Sequence, residues 1–236
     1  VIDCDIVVVL RDGKVVEAGH PHELLQRAYD HEPDAGKADA STLNHMAAKL
    51  FMAECGKRAG DGFDFSPMFR RVRPILAGAD LALCHLETPL SPDNSEFEFY
   101  PRFQVPFELA TAIGDAGYDG CSVASNHLLD YGEGGVVATL GHLAAAGVAA
   151  SGAATDPTGV GPAWFSPGGV TVAHLSYTDT MNVASLPADP PWLVNHLEAN
   201  GVLADADDAV ADGAEFVVIS LHFGKPEYQT GLSAKQ

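Results

Sequence analysis

Basic residues are scarce in this 236-residue chain: 13 Lys and Arg stand against 32 Asp and Glu, for a net charge of −19. Carboxylates in such excess repel phosphate backbones and anionic lipid heads, which argues against nucleic-acid and membrane-surface partners. They suit divalent cations. Long apolar runs are missing too: none approaches the roughly 18–20 residues of a membrane span, and no signal-peptide pattern is visible. Cysteine is limited to Cys4, Cys55, Cys84 and Cys121, with no CxxC pair and no metal-ligand spacing. Cys84 and Cys121 sit in apolar runs and read as buried free thiols, so no disulfide framework is expected.

What acid there is lies unevenly. Residues 1–60 hold seven basic and ten acidic side chains (7 − 10 = −3), whereas residues 61–236 hold six and twenty-two (6 − 22 = −16). This shift marks a candidate boundary, with a segment and linker over 1–60 and a separate domain over 61–236. In the first part, IVVVL (6–10) and VVEA (15–18) flank Arg11-Asp12-Gly13-Lys14, and an Asp-Gly between β-branched runs signals a hairpin. A short helix follows Pro21, residues 28–40 read as polar loop, and Ser41 can cap a second helix. His20 and His22 read as surface groups at a helix start.

From residue 61 the rhythm is that of an α/β protein. Apolar runs at 79–87, 118–125, 147–153, 170–178 and 215–224 are separated in places by helical patterns at 106–117, 134–147 and 195–214. The first helix sets Leu109, Ala112 and Ile113 on one face and ends at Gly117, a natural C-cap. The second sets Val136, Val137, Leu140 and Leu143 together. Strand–helix alternation at this spacing predicts a mixed or parallel sheet covered by helices.

Three of the apolar runs finish on metal-competent side chains: DLALCHLE on Glu87, YDGCSVASNH on Asn126 and His127, and FVVISLH on His222. Ligands of open α/β sheets gather beyond the carboxyl ends of strands, so these three segments would deliver a carboxylate, an amide oxygen and two imidazoles to one rim. That mixture suits Mn²⁺, Zn²⁺ or Fe²⁺ better than calcium. Asp130, three residues after His127, can accept the imidazole N–H and fix its tautomer. Plainer readings exist for each residue. Ser125 can cap a helix, Glu87 can cap a turn, Asp130 can face a helix dipole, and a lone strand-end histidine is usually just hydrogen-bonded. His85 shares the strand face of Glu87 and reads either as support for the site or as a surface group.

ADLALCHLETPLSP, GYDGCSVASNHLLDYGEGGVVATL and VVISLHFGKPEY resemble successive motifs of the CapA (poly-γ-glutamate capsule synthesis) family, within the calcineurin-like metallophosphatase superfamily. The resemblance covers about residues 62–232. It implies a four-layer α/β/β/α sandwich with metal at the strand ends, here partial and preceded by a β-hairpin plus helix segment. Glu87, Asn126, His127 and His222 would be ligands of Mn, Zn or Fe, binuclear in a full-length parent, with His127 and Asp130 as the catalytic pair. The implied role lies in making or exporting anionic capsule polymer at the bacterial cell surface, with a metallophosphoesterase-like hydrolase activity implied by the superfamily. The partner is then a small-molecule or anionic-polymer substrate.

Two departures qualify that picture. The family opens with an apolar strand ending in Gly-Asp, and although Gly60-Asp61 has the letters, MAECGKRA before it does not read as a strand. A Gly-His-x-His-type turn, the family's last ligand motif, is expected beyond residue 236, so the domain reads as truncated at both ends and inactive as it stands. Residues 1–58, through DCDIVVVLRDGKVVEAGHPHELL, resemble the C-terminal tail of an ABC transporter ATPase domain of the multidrug-resistance-associated subfamily, without its nucleotide motifs. Two alternatives follow: a non-catalytic module that binds an anionic polymer, or the end of a transporter with an accidental extension.

Overall fold

A computed structural model describes residues 62–98, 102–182 and 192–222 in full, together with the backbone of three strands at 7–11, 14–19 and 57–59. The first two, β1 (Val7–Arg11) and β2 (Lys14–Gly19), pair antiparallel with Arg11 opposite Lys14, as the hairpin signal predicts. The helices expected near Pro21 and after Ser41, like His20, His22 and Asp61, lie outside the described residues. MAECGKRA is corrected in part: its end forms β3 (Lys57–Ala59), paired antiparallel with β4 (Gly62–Asp64). Two single-turn helices follow, α1 (Ser66–Phe69) and α2 (Arg73–Leu76), each with proline in its first turn.

Among the described residues the chain then forms two three-stranded sheets. In the first, β5 (Leu83–His85), β6 (Gly120–Ser122) and β7 (Ala149–Ser151) run parallel in the order β5–β6–β7. Between these strands come α3 (Glu108–Ala116) and α4 (Gly132–Ala145). The second sheet sets β8 (Ala163–Phe165) antiparallel and β10 (Phe216–His222) parallel to the central β9 (Val172–Thr178), with α5 (Ala199–Ala211) joining the last two. The fold is therefore mixed α/β. The two central strands β6 and β9 are buried along their whole length, which is why they read as unbroken apolar runs. β8 carries no such run and left no signal.

Helix α3 buries Leu109, Ala110, Ala112, Ile113 and Ala116, the stripe its sequence predicts. It stops at Gly117, whose φ of 105° is left-handed, and Tyr118 N–H then bonds back to the Ile113 carbonyl at 3.3 Å. In α4 the buried line is Val136, Thr139 and Leu143, whereas Val137, grouped with them by periodicity, is exposed. Thr139 explains its own burial: its hydroxyl accepts from Leu90 N–H at 2.8 Å and donates to the Gly135 carbonyl at 2.7 Å. These two helices join residues of the first sheet in one apolar cluster that includes Cys121, Val123 and Leu128. Against β9 and β10, α5 packs Val202, Ala206 and Ala209, and Tyr177 reaches Asp205 with its hydroxyl at 2.7 Å.

The expectation of free thiols at Cys84 and Cys121 is corrected. The two residues are direct register partners on β5 and β6, their Cα atoms lie 4.4 Å apart, and their sulfurs form a disulfide. Each occupies an apolar run, but adjacent parallel strands in this register bring them face to face. Spacing along the chain, 37 residues, gave no hint of it.

Candidate functional site

Strand β5 ends at His85 and is followed two residues later by Glu87, because Leu86 N–H still bonds to the Ser122 carbonyl at 2.9 Å and carries the pairing past the strand. Beyond β6, Val123 N–H bonds to the Ser151 carbonyl at 2.9 Å, so the chain stays extended until Ser125. The fully buried Ser125 hydroxyl donates to the Glu87 carbonyl at 2.6 Å and receives His127 N–H at 3.3 Å. One hydroxyl thus ties the Glu87 segment to the Asn126–His127 segment. It does not cap α4, which begins later at Gly132.

On the rim, His222 Nε2 lies 2.9 Å from Asn126 Oδ1, and His127 Nε2 lies 4.0 Å from Glu87 Oε1. Asn182 stands between the two pairs. Its Oδ1 accepts from Asn126 Nδ2 at 3.1 Å, its Nδ2 lies 3.2 Å from His127 Nε2, and its backbone N–H bonds to the Asn126 carbonyl at 2.9 Å. Asn182 Nδ2 is also 2.7 Å from His127 Nδ1, but that nitrogen's hydrogen is committed elsewhere. Asp130 Oδ2 sits 2.6 Å from Nδ1, and a carboxylate can only accept, so Nδ1 carries the hydrogen and Nε2 keeps the lone pair.

Asp130 is itself held firmly. The same Oδ2 accepts Phe103 N–H at 2.8 Å, and the Asp130 carbonyl receives the Arg102 guanidinium through Nε at 3.0 Å and Nη2 at 2.5 Å. Phe103 sets its ring edge-on against His127, with centroids 4.5 Å apart. Arg102 lies over the Tyr131 ring at 4.7 Å, and the Tyr131 hydroxyl donates to Glu98. Desolvation and the Glu98 carboxylate push that phenol up to about 12.

Below the rim lie two more imidazoles. His85 stacks on His222 with centroids 5.1 Å apart, and its Nδ1 is 2.8 Å from the Ser122 hydroxyl. Burial, then the nearby His222, push His85 down to about 3. Burial alone lowers His174 to about 4, with its Nε2 2.9 Å from Ser220 Oγ. Both rings are neutral across the physiological range.

The structure therefore brings Glu87, Asn126, His127, Asp130 and His222 to one rim, in two donor pairs. Among the described residues, no three His, Cys, Asp or Glu side chains are gathered closely enough to hold an ion by themselves. Asn182, Arg102 and Phe103 complete the arrangement and were not foreseen from sequence. For Asn182 a signal existed: it follows the apolar run 170–178 just as Asn126 follows 118–125. Arg102 and Phe103 lie in an irregular segment with no such mark.

Among the described residues, no helix is long and apolar enough to cross a membrane. The chain is 25% identical, over 205 residues, to the capsule biosynthesis protein CapA of Bacillus anthracis; the match takes in 81% of this chain and 48% of that protein. It thus spans about half the length of that relative. The family of the bacterial capsule synthesis protein PGA_cap matches residues 20–236, which includes all three strand-end motifs and takes in most of the first 60 residues as well. Residues from nearly the whole chain fit that pattern, and the chain belongs to the bacterial capsule synthesis protein family.

Proposed function

We propose that the rim of Glu87, Asn126, His127 and His222 holds a divalent metal ion, Mn²⁺, Zn²⁺ or Fe²⁺, and that the parent protein uses it for phosphoesterase-type hydrolysis in the synthesis of an anionic capsule polymer such as poly-γ-glutamate. The observation that carries this reading is the donor spacing. Two donors at about 2.0–2.2 Å from one ion are about 3 Å apart when adjacent and about 4 Å apart when opposed. The His222–Asn126 separation of 2.9 Å and the His127–Glu87 separation of 4.0 Å fall at those two values. The donor chemistry, one carboxylate, one amide oxygen and two imidazoles, suits a borderline ion.

When bound, such an ion polarises a phosphoryl oxygen and makes water nucleophilic near neutral pH. The chain's own groups arrange the rest. Asp130 holds the His127 tautomer, so that Nε2 faces the rim either as a ligand or as the atom that exchanges a proton with substrate. Asn182 orients Asn126 and His127 together. Two helical layers enclosing the two sheets, as in a four-layer metallophosphatase sandwich, would present this rim at the strand ends. Residues 1–60 would form a separate segment, and their likeness to a transporter ATPase tail belongs to this proposal. The donors at hand supply fewer protein ligands than a two-metal centre needs, so this chain would hold one ion weakly and turn over little substrate.

The test is calorimetric titration of the purified chain with Mn²⁺ and Zn²⁺, beside a Glu87→Ala/His222→Ala double variant, with an aryl phosphate diester assayed in parallel. Binding of about one ion, lost in the double variant, with slight turnover, is expected. No binding of either ion by the wild-type chain would overturn the metal reading. Among the described residues the rim's donors already meet one another, as Asn126 and His222 do at 2.9 Å, and a second reading is a non-catalytic module that recognises the polymer. Metal-independent binding of poly-γ-glutamate would establish that alternative.

A further inference from the structure

The Ser122 hydroxyl lies 2.8 Å from His85 Nδ1 and 3.3 Å from the Cys84 carbonyl. It has a single hydrogen, and a carbonyl can only accept, so that hydrogen goes to Cys84 and Ser122 accepts from the ring. Nδ1 of His85 therefore carries the ring hydrogen, and Nε2 is left with a bare lone pair. That Nε2 atom is buried and has no hydrogen-bond partner among the described residues. An imidazole with one nitrogen fixed by a hydrogen bond and the other lone pair buried and unpartnered is prepared as a ligand.

The neighbours point the same way. The His85 and His222 rings are neighbours, with centroids 5.1 Å apart and planes 21° from parallel, so a modest turn of either ring is needed before both nitrogens meet one ion. His222 Nε2 in turn lies 2.9 Å from Asn126 Oδ1. The ends of β5, β10 and β6 thus supply two imidazoles and one amide oxygen, a set distinct from any group of three His, Cys, Asp or Glu.

We propose that His85 is a further ligand of the ion held at this rim, binding through Nε2 beside His222 and Asn126. This rests on the metal-binding reading and deepens it. A second imidazole beside His222 makes the shell richer in nitrogen, which shifts its preference from Mn²⁺ toward Zn²⁺ and Fe²⁺.

The experiment is a Zn²⁺ titration of the full chain followed by long-range proton–nitrogen correlation of the histidine rings. The His85 signal is assigned by its disappearance in His85→Phe. Chelator competition gives the affinities of wild type, His85→Phe and His85→Gln, and urea unfolding checks that each variant is folded. The expected result is a stoichiometric shift of His85 Nε2 and at least about a tenfold loss of Zn²⁺ affinity in His85→Phe. The ring measurement is made on the wild-type chain, and should His85→Phe fail to fold, His85→Gln supplies the assignment. An unmoved His85 signal, while Zn²⁺ binds and Glu87→Ala or His222→Ala weakens it, would overturn the His85 ligand and assign Nε2 to a buried water. Absence of Zn²⁺ binding by the wild-type chain would overturn the rim reading and this one together.

Discussion

Replacing Asp130 with alanine removes one oxygen that serves two donors, His127 Nδ1 at 2.6 Å and Phe103 N–H at 2.8 Å. The carboxylate side chain is 1% exposed, so water has little access to take its place. A hydrogen bond to a charged group contributes about 1.5–3 kcal/mol, and a buried N–H left unpaired costs about 1–3 kcal/mol. His127 is 12% exposed and can recover part of its loss through solvent, which leaves a net cost of about 2–4 kcal/mol. For a chain of this size that is a fall of about 5–12 °C in Tm. Asparagine is the informative control. Both donors meet the same Oδ2, so an amide oxygen turned to that position still accepts both. Asp130→Asn should therefore lose less than about half as much stability as Asp130→Ala. Urea unfolding of both variants gives the comparison. Equal losses, or an alanine variant within about 0.5 kcal/mol of wild type, would refute the two-donor account.

Three further outcomes follow from the same geometry. Gly152 has φ of 105°, and a Cβ there would lie 2.7 Å from Ala124 Cβ and 2.9 Å from Ser176 Oγ, so Gly152→Ala should cost about 2–4 kcal/mol; an unchanged thermal midpoint would contradict it. His174, lowered to about 4 by burial, is neutral when folded and takes up a proton on unfolding below the ordinary value of 6.5. Its stabilisation is complete above that value and falls as pH drops toward 4, a loss of about 2 kcal/mol by pH 5. Urea midpoints at pH 7.5 and 5 should thus converge in His174→Phe relative to wild type, and parallel pH profiles would count against the buried neutral ring. The Cys84–Cys121 bond closes a loop of 37 residues, for which chain entropy gives about 4 kcal/mol of stabilisation. Peptide mapping without reductant should find the two joined, and full alkylation of both thiols in the native protein would show that they are not.

Much of the framework was legible because buried strands and amphipathic helices write periodic patterns. All five apolar runs of the domain contain a strand, and Gly117 marks the end of α3. The strand-end rule fits Asn126 and His127, which follow the fully buried β6, whereas Glu87 follows and His222 closes strands that are only partly buried. Pairwise facts that depend on register were not legible. Nothing local to Cys84 or Cys121 says that β5 and β6 align them, and nothing local to His85 says that Ser122 will hold its Nδ1. Arg102 and Phe103 act on Asp130 from 28 and 27 residues away, through a segment whose course no periodicity describes. β8 was missed because three residues with a single exposed Trp164 make no alternation to recognise.

The two hydrogen bonds of the Ser125 hydroxyl separate construction from chemistry. The Glu87 and Asn126–His127 segments are fastened to each other through a serine hydroxyl and main-chain groups, not through the side chains that face the rim. Substituting a donor at 87, 126, 127 or 222 can therefore remove the chemistry while the platform beneath keeps its shape. Position 125 has no such freedom: alanine offers neither bond, and threonine brings a methyl group into a spot with no exposed surface. Loss of the hydroxyl at 125 would loosen two segments at once, so one unreactive residue sets the spacing of the groups presented above it.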